Sequence, residues 1–289
     1  RALVSRQLVR FWSRRPAPIP LDAFRVQAPD AAPLRAFFAA QEFRTLLQRL
    51  DANIVKAGGT VPPAPEQPRL AAAIAYELVT DAAALEAWVR RAGEAGIVAV
   101  DTETTSLDPQ QAKLVGISLA VAPGEACYIP VGHGAPTGAG QTELGLDPSA
   151  GQAITQLDPA TAIAILAPLL ADPAVLKVGQ NIKYDMAILA RYGASVRPID
   201  DTMLLSYVLD GSRHGHGMDE LAKLWLDRDT IKFSDVAGSG KTQVTFDQVP
   251  LDKALGYAAE DADVTLDLYR HLKPRLVAEH MVEVYETIE

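Results

Sequence analysis

Side chains able to do chemistry concentrate in three short segments. In Asp101-Thr102-Glu103-Thr104-Thr105, which follows the apolar run Ile97-Val98-Ala99-Val100, the two acids are two residues apart, so on an extended chain they face the same way. An unpaired buried carboxylate is costly. Hard divalent cations such as Mg²⁺ and Mn²⁺, which take carboxylate and water oxygens, give a reason for two acids there; a strand end emerging into solvent accounts for the pair equally well. In Lys177-Val178-Gly179-Gln180-Asn181-Ile182-Lys183-Tyr184-Asp185, a strand running into a helix, Asn181 and Asp185 are four apart and would share a helical face. Taken alone they read better as an N-cap and an ordinary first-turn acid. In Tyr257-Ala258-Ala259-Glu260-Asp261-Ala262-Asp263, Tyr257 and Asp261 are again four apart, and Ala254, Ala258, Ala259 and Ala262 are small enough for a helix to approach a sheet closely. Spacing does not single out Asp261 from Glu260 or Asp263, since acids on an exposed helical face are usually just solvated.

The elements that must position these residues follow from periodicity. Asp81 to Arg91 has helical spacing (Leu85, Trp88, Val89), and Ile97 to Val100 reads as a buried strand. Leu114 to Val121 and Ala126 to Val131, separated by Pro123-Gly124, complete a three-strand meander. A helix over Pro159 to Leu170 stops near Asp172-Pro173, a short strand covers Leu176 to Gly179, and a helix spans Lys183 to Tyr192. Further helices are expected over Asp201 to Leu209, Met218 to Leu226 and Leu251 to about Leu272.

Composition bounds the class. With 289 residues, 48% of them hydrophobic, the chain suits one substantial globular core with flanking pieces. No apolar run approaches the ~20 residues of a membrane span. The single cysteine, Cys127, expected in a buried strand, excludes an internal disulfide framework and a multi-cysteine zinc site; a reducing, cytoplasmic setting is the simplest inference. The sequence opens on Arg1 without a secretory signal and reads as a fragment. A formal net charge of −9 is unexpected in a protein that grips long phosphate tracks. Either the footprint is short or metals supply positive charge, and clustered carboxylates cannot all ionise without a compensating cation.

The three segments, in this order, resemble the three motifs of the 3′→5′ proofreading exonuclease domain of family A, polymerase I-type bacterial DNA polymerases. The resemblance runs from about Glu77 to Lys273 and includes Asp101-Thr-Glu-Thr with Leu107, the run Lys177 to Asp185, the segment Thr230 to Phe246, and Tyr257-Ala-Ala-Glu-Asp-Ala-Asp. It implies a ribonuclease H-like α/β fold, a mixed sheet with helices on both sides, preceded by a helical or irregular N-terminal tail and linker. It also divides the chain: residues 1–50 as the tail of a 5′ nuclease domain, rich in arginine and free of lysine; 51–73 as a Gly- and Pro-rich linker; 74–275 as the exonuclease domain; and 276–289 as the lead-in to a polymerase domain in cis. Four acids, Asp101, Glu103, Asp185 and Asp261, would bind two divalent cations, Mg²⁺ or Mn²⁺ with Zn²⁺ an option at one site, and Tyr257 marks the subgroup.

The implied reaction is hydrolysis of DNA from a single-stranded or frayed 3′ end to nucleoside monophosphates, during replication and repair. Two ions about 3.5–4 Å apart would serve the attacking water and the departing oxygen. By resemblance Asp101 bridges them, Glu103 and Asp261 complete the site that activates the water, and Asp185 acts through water on the other ion. Tyr257, with an ordinary pKa of about 10, suits a positioner of the water better than a free base. Leu107, Tyr184 and Phe233 are candidates to stack on splayed bases, and Gln180 and Asn181 to hydrogen-bond the terminal nucleotide; core packing is the alternative for all five. Two rivals remain: an RNA-trimming exonuclease resembling ribonuclease D, and a catalytically silent structural domain. Other signals are weaker. Gly238-Ser-Gly-Lys-Thr242 ends like a P-loop, but Asp235 stands where its first glycine belongs, so it reads as a polar loop. His214 and His216 read as a flexible loop that departs from the family pattern, His133 as a supporting or loop residue, and Trp12, Trp88 and Trp225 as packing.

Overall fold

A computed structural model of the protein describes residues 30–40, 43–56, 74–134 and 154–288. The chain divides into two compact units, Arg1–Leu70 and Ala71–Glu289. In the first, helices α1 (Ala31–Ala40) and α2 (Arg44–Lys56) pack together through Phe37, Phe38 and Phe43 and an Arg35–Asp51 ion pair of 2.8 Å. Helix α2 takes in the first residues expected of the linker. Trp12 and the remaining expected linker, residues 57–73, lie outside the described residues.

The second unit is built on a mixed sheet. Strands β1 (Ala75–Leu78), β2 (Ile97–Thr104), β3 (Leu114–Ala122), β4 (Glu125–Pro130), β5 (Leu176–Gly179) and β6 (Ile199–Asp201) are ordered β1-β4-β3-β2-β5-β6. The expected meander is β2-β3-β4, antiparallel throughout, while β1, β5 and β6 add in parallel. Two strands were not anticipated, β1 with four residues and β6 with three, which form the two edges of the sheet. Between β1 and β2 runs α3 (Ala82–Ala95), started by Asp81 accepting from the Ala84 N–H and ended by Gly96 at φ 68°, a left-handed closure that glycine adopts without strain. Helix α4 (Pro159–Ala171) starts in the same way, with Asp158 as cap and Pro159 in the first turn.

Alternation along β2 separates two jobs. Val98 and Val100 face a core shared with Leu85 and Trp88 of α3, Leu166 and Leu170 of α4, and Ile188 and Leu189 of α5 (Lys183–Arg191). Ala99 faces the opposite side, where Ala120 and Ala126 of the neighbouring strands meet Ala259, Ala262 and Leu266 of the long helix α9 (Leu251–Ala278). Alanine against alanine lets the helix lie close to the sheet. Helices therefore cover both faces, as the resemblance implied.

The rest of this unit packs on the far half of α9: α6 (Thr202–Asp210), α7 (Met218–Leu221) and α10 (Val282–Thr287) share a core with Val264, Leu268 and Leu272. The single helix expected over Met218 to Leu226 is instead one α turn continuing into a π-helical turn, Ala222–Leu226. Helix α8 (Phe233–Ala237) precedes a polar loop over 238–242, as expected of the P-loop-like segment. The side chains of His214 and His216 make contacts within their loop and with α6. His216 hydrogen-bonds Ser206 Oγ at 2.8 Å and Gly211 O at 2.7 Å, and His214 lies 3.4 Å from Asp210. Trp88 is buried with its indole N–H on Glu77, and Trp225 stacks on His271. Cys127 is buried in β4.

Candidate active site

Strand β2 continues through both acids and does not end before them. Asp101 pairs across the sheet with Ser118 and Glu103 with Gly116, after which a bulge breaks the register. Two-residue alternation gives Asp101 and Glu103 the face of Ala99, the one covered by α9. Because alanines bring α9 in close, Asp261 reaches them. One carboxylate oxygen from each of Asp101, Glu103 and Asp261 lies within 4.8 Å of the others.

Neighbouring acids of α9 are occupied elsewhere, which resolves the ambiguity left by spacing. Arg228 donates to Glu260 at 3.0 Å and to Asp263 at 2.9 Å; Glu260 also accepts from the Ile231 N–H, and Asp263 from the Gly124 N–H and the Tyr76 hydroxyl. Asp261 alone of the three is left facing β2.

Asp185 arrives from the other side of the strand. β5 pairs with β2 only at Ile97, Val98 and Ala99, so the edge of β2 beyond them is open. Asp185, 2% exposed, fills it by accepting from both the backbone N–H (2.9 Å) and the hydroxyl of Thr102. Thr102 escaped the sequence reading because a threonine between two acids carries no signal of a partner 83 residues away. Asn181 and Asp185 do not share a helical face: α5 starts at Lys183, and Asn181 stands before it at φ 60° with Ile182 as the cap residue.

Electrostatics set the chemistry. Burial pushes the Asp101 carboxyl up to about 6. Glu103 is raised well above the ordinary range, first by burial and then by the charges of Asp101, Asp261 and Asp185; burial followed by Asp101 does the same to Asp185 and Asp261. Glu103 Oε1 is buried with no hydrogen-bond partner among the described residues. Mutually raised carboxylates, an oxygen without a partner among the described residues and an all-carboxylate donor set fit a hard divalent cation. This acidic cluster can hold a metal ion.

Tyr257 lies one helical turn before Asp261. Its hydroxyl is raised above its ordinary value by burial, then by the charges of Asp261, Glu103 and Asp101, so it stays protonated at neutral pH. The ring packs on Phe246 (centroids 5.8 Å) and edge-on to Phe233 (6.1 Å). Beside it opens a cleft of about 510 Å³ lined by Thr102, Glu103, Leu107, Tyr184, Phe233, Phe246 and Tyr257 among others. Leu107 is 95% exposed at its rim. The Tyr184 hydroxyl bonds Thr104 and Ser106, turning its ring into the wall.

Gln180 and Asn181 are not among the lining residues. The Gln180 side chain is held inside the protein, donating to His216 O and accepting from Thr202 Oγ1. Phe246 was missed, since nothing in Thr245-Phe246-Asp247 distinguishes it from a core residue. Behind it His133, 6% exposed, bonds the buried Tyr128 hydroxyl at 2.7 Å, which makes it a packed support of that wall.

A mixed six-stranded sheet with helices on both faces and carboxylates gathered on its central strand defines the ribonuclease H-like class of nucleases. Residues 76–277 match the family described as 3′-5′ exonuclease, and the chain belongs to that family. It is 48% identical to a DNA polymerase I of Rhizobium leguminosarum over 74% of this chain and 21% of that one. It is 39% identical to a DNA polymerase I of Pseudomonas aeruginosa over 96% of this chain and 29% of that one. The chain thus spans under a third of the length of these curated relatives. Among solved structures, ribonuclease D of Escherichia coli, an exoribonuclease, superposes with a TM-score of 0.51 at 18% identity, covering 73% of this chain and 48% of that one, a likeness of fold.

Proposed function

We propose that this chain is the editing part of a DNA polymerase I, hydrolysing DNA one nucleotide at a time from an unpaired 3′ end. The observation that carries the reading is the convergence of Asp101, Glu103 and Asp261 at one end of a cleft beside Tyr257. Identity of 48% to a DNA polymerase I, against 18% to ribonuclease D, favours DNA over RNA as substrate.

Asp101, Glu103 and Asp261, with Asp185 behind Thr102, would hold two divalent cations, Mg²⁺ or Mn²⁺. When bound, such ions lower the pKa of water and neutralise charge on the departing oxygen. The chain's own residues do the rest. Tyr257, still protonated and hydrogen-bonded to Asp261, would orient the attacking water through its hydroxyl. Phe233, Tyr184 and Leu107 offer apolar and aromatic surface on which an end base stacks, each base worth about 1–3 kcal/mol. Duplex DNA keeps its bases stacked on one another and gains nothing from this wall, which selects a frayed end. With a net charge of −9, the chain would rely for phosphate on cations held by Asp101, Glu103 and Asp261 more than on a basic track.

The test is release of mononucleotides from matched single-stranded DNA and RNA in Mg²⁺, using the native chain, Asp185→Ala and Asp261→Ala. DNA degradation lost in both variants supports the reading. A strong RNA preference, or near-native rates in both variants, overturns it.

A further inference from the structure

Asp201 contributes nothing directly to the acidic cluster, yet it is 3% exposed and its carboxylate accepts from three backbone N–H groups. Oδ1 takes Asn181 and Met203, each at 2.9 Å, and Oδ2 takes Ile182 at 3.0 Å. The Met203 bond is ordinary capping of α6. The other two reach back 20 and 19 residues, to the turn that joins β5 to α5.

That turn is under constraint. A Cβ on Gly179 would lie 2.7 Å from Ile182, and Asn181 sits at φ 60°, a left-handed conformation that asparagine tolerates better than most residues. Thr202 adds a second grip by donating to Gly179 O at 3.1 Å. From the C-terminal side Tyr285 of α10 closes the bracket: its hydroxyl accepts the Asp201 N–H at 3.0 Å and donates to Asp200 at 2.9 Å. Helix α5 starts immediately after the turn, so the setting of residues 179–182 decides where Asp185, three residues beyond Ile182, meets Thr102.

We propose that Asp201 is a positioning residue of the active site, fixing the β5–α5 turn and through it the seat of Asp185, with Tyr285 as its outer lock. The inference rests on the exonuclease reading for its catalytic consequence, and on metal binding alone for its structural one.

Asp201→Asn removes one of the two acceptor oxygens while keeping the size of the side chain, and Tyr285→Phe removes only the hydroxyl. Both are measured in two ways: the shift in thermal midpoint that Mg²⁺ produces, and the Mg²⁺ concentration at half-maximal release of nucleotides from single-stranded DNA. The expected result is a rise of about 10-fold or more in half-saturating Mg²⁺ for Asp201→Asn, in keeping with groups that orient metal ligands. A smaller rise in the same direction is expected for Tyr285→Phe, and activity recovers in part at saturating Mg²⁺. A purely structural role lowers the midpoint without moving half-saturation, and that result in both variants overturns the proposal. If Asp201→Asn does not fold, Tyr285→Phe decides alone. A native chain inert on DNA sinks the exonuclease reading, while its Mg²⁺-induced midpoint shift, compared with those of the variants, still decides the bracket.

Discussion

The four acids carry opposite consequences for stability and for function. Each has a raised pKa in the folded, metal-free protein, so each binds its proton more tightly folded than unfolded. Stability from such a group is complete below its unfolded pKa and is lost as pH rises through its folded one. For Asp101 the window runs from the ordinary 3.8 to about 6, and the other three extend it upward. The metal-free protein should therefore lose thermal stability as pH rises from about 4 through about 6 and beyond, as a scan of the midpoint against pH in a chelator would record. Asp185→Asn removes a buried charge facing Asp101 and should flatten that slope and raise the metal-free midpoint, even as it destroys activity; a lowered midpoint at pH 8 would contradict the electrostatic account. Tyr257→Phe keeps the packing on Phe246 and Phe233 and deletes the hydroxyl. It should lower kcat by about 10²-fold with little change in stability, the usual effect of losing one oriented donor.

At the scale of elements, the contact of α9 with the sheet is the part on which the site depends. Ala259 and Ala262 meet Ala99, Ala120 and Ala126, all fully buried, and that closeness is what allows as short a side chain as aspartate to reach β2. Ala259→Leu should cost about 1–3 kcal/mol of stability by overpacking and, by lifting Asp261 away, should cost activity out of proportion to the stability lost. Measuring both at a temperature well below the midpoint separates the two effects. Equal activity in a folded Ala259→Leu protein would show that the approach of α9 is not limiting. Element identity was largely legible in advance, since β2, the meander, α3, α4, α5 and α9 all have periodic apolar patterns. The misses were local: β1 and β6 are the short strands at the two edges of the sheet, and the π turn at Ala222–Leu226 follows a sequence that an ordinary helix would also accept.

Across the whole molecule the balance of charge is negative, and at the site a bound cation would offset it. Saturating Mg²⁺ at 100 times its dissociation constant should stabilise the protein by about 2.7 kcal/mol, or roughly 5–10 °C in midpoint for a domain of this size. The shift should be larger at pH 8 than at pH 5.5, because protons compete for the same carboxylates. Absence of any shift with Mg²⁺ or Mn²⁺ would remove the metal from the account.

The chain alone determined which short segments hold acids, that Asp101 and Glu103 share one face, and that a small-residue helix carries Tyr257 and Asp261 in one turn. These are properties of neighbours in sequence, set by periods of two and of about 3.6 residues. Tertiary structure alone decided that Arg228 takes Glu260 and Asp263 and leaves Asp261 to the site, that the open edge of β2 receives Asp185 through Thr102, and that Gln180 turns inward. Each of those outcomes joins residues separated by between 32 and 83 positions. Hydrogen-bond partners at that distance are chosen by how helices dock on the sheet, a matter on which local spacing carries no information.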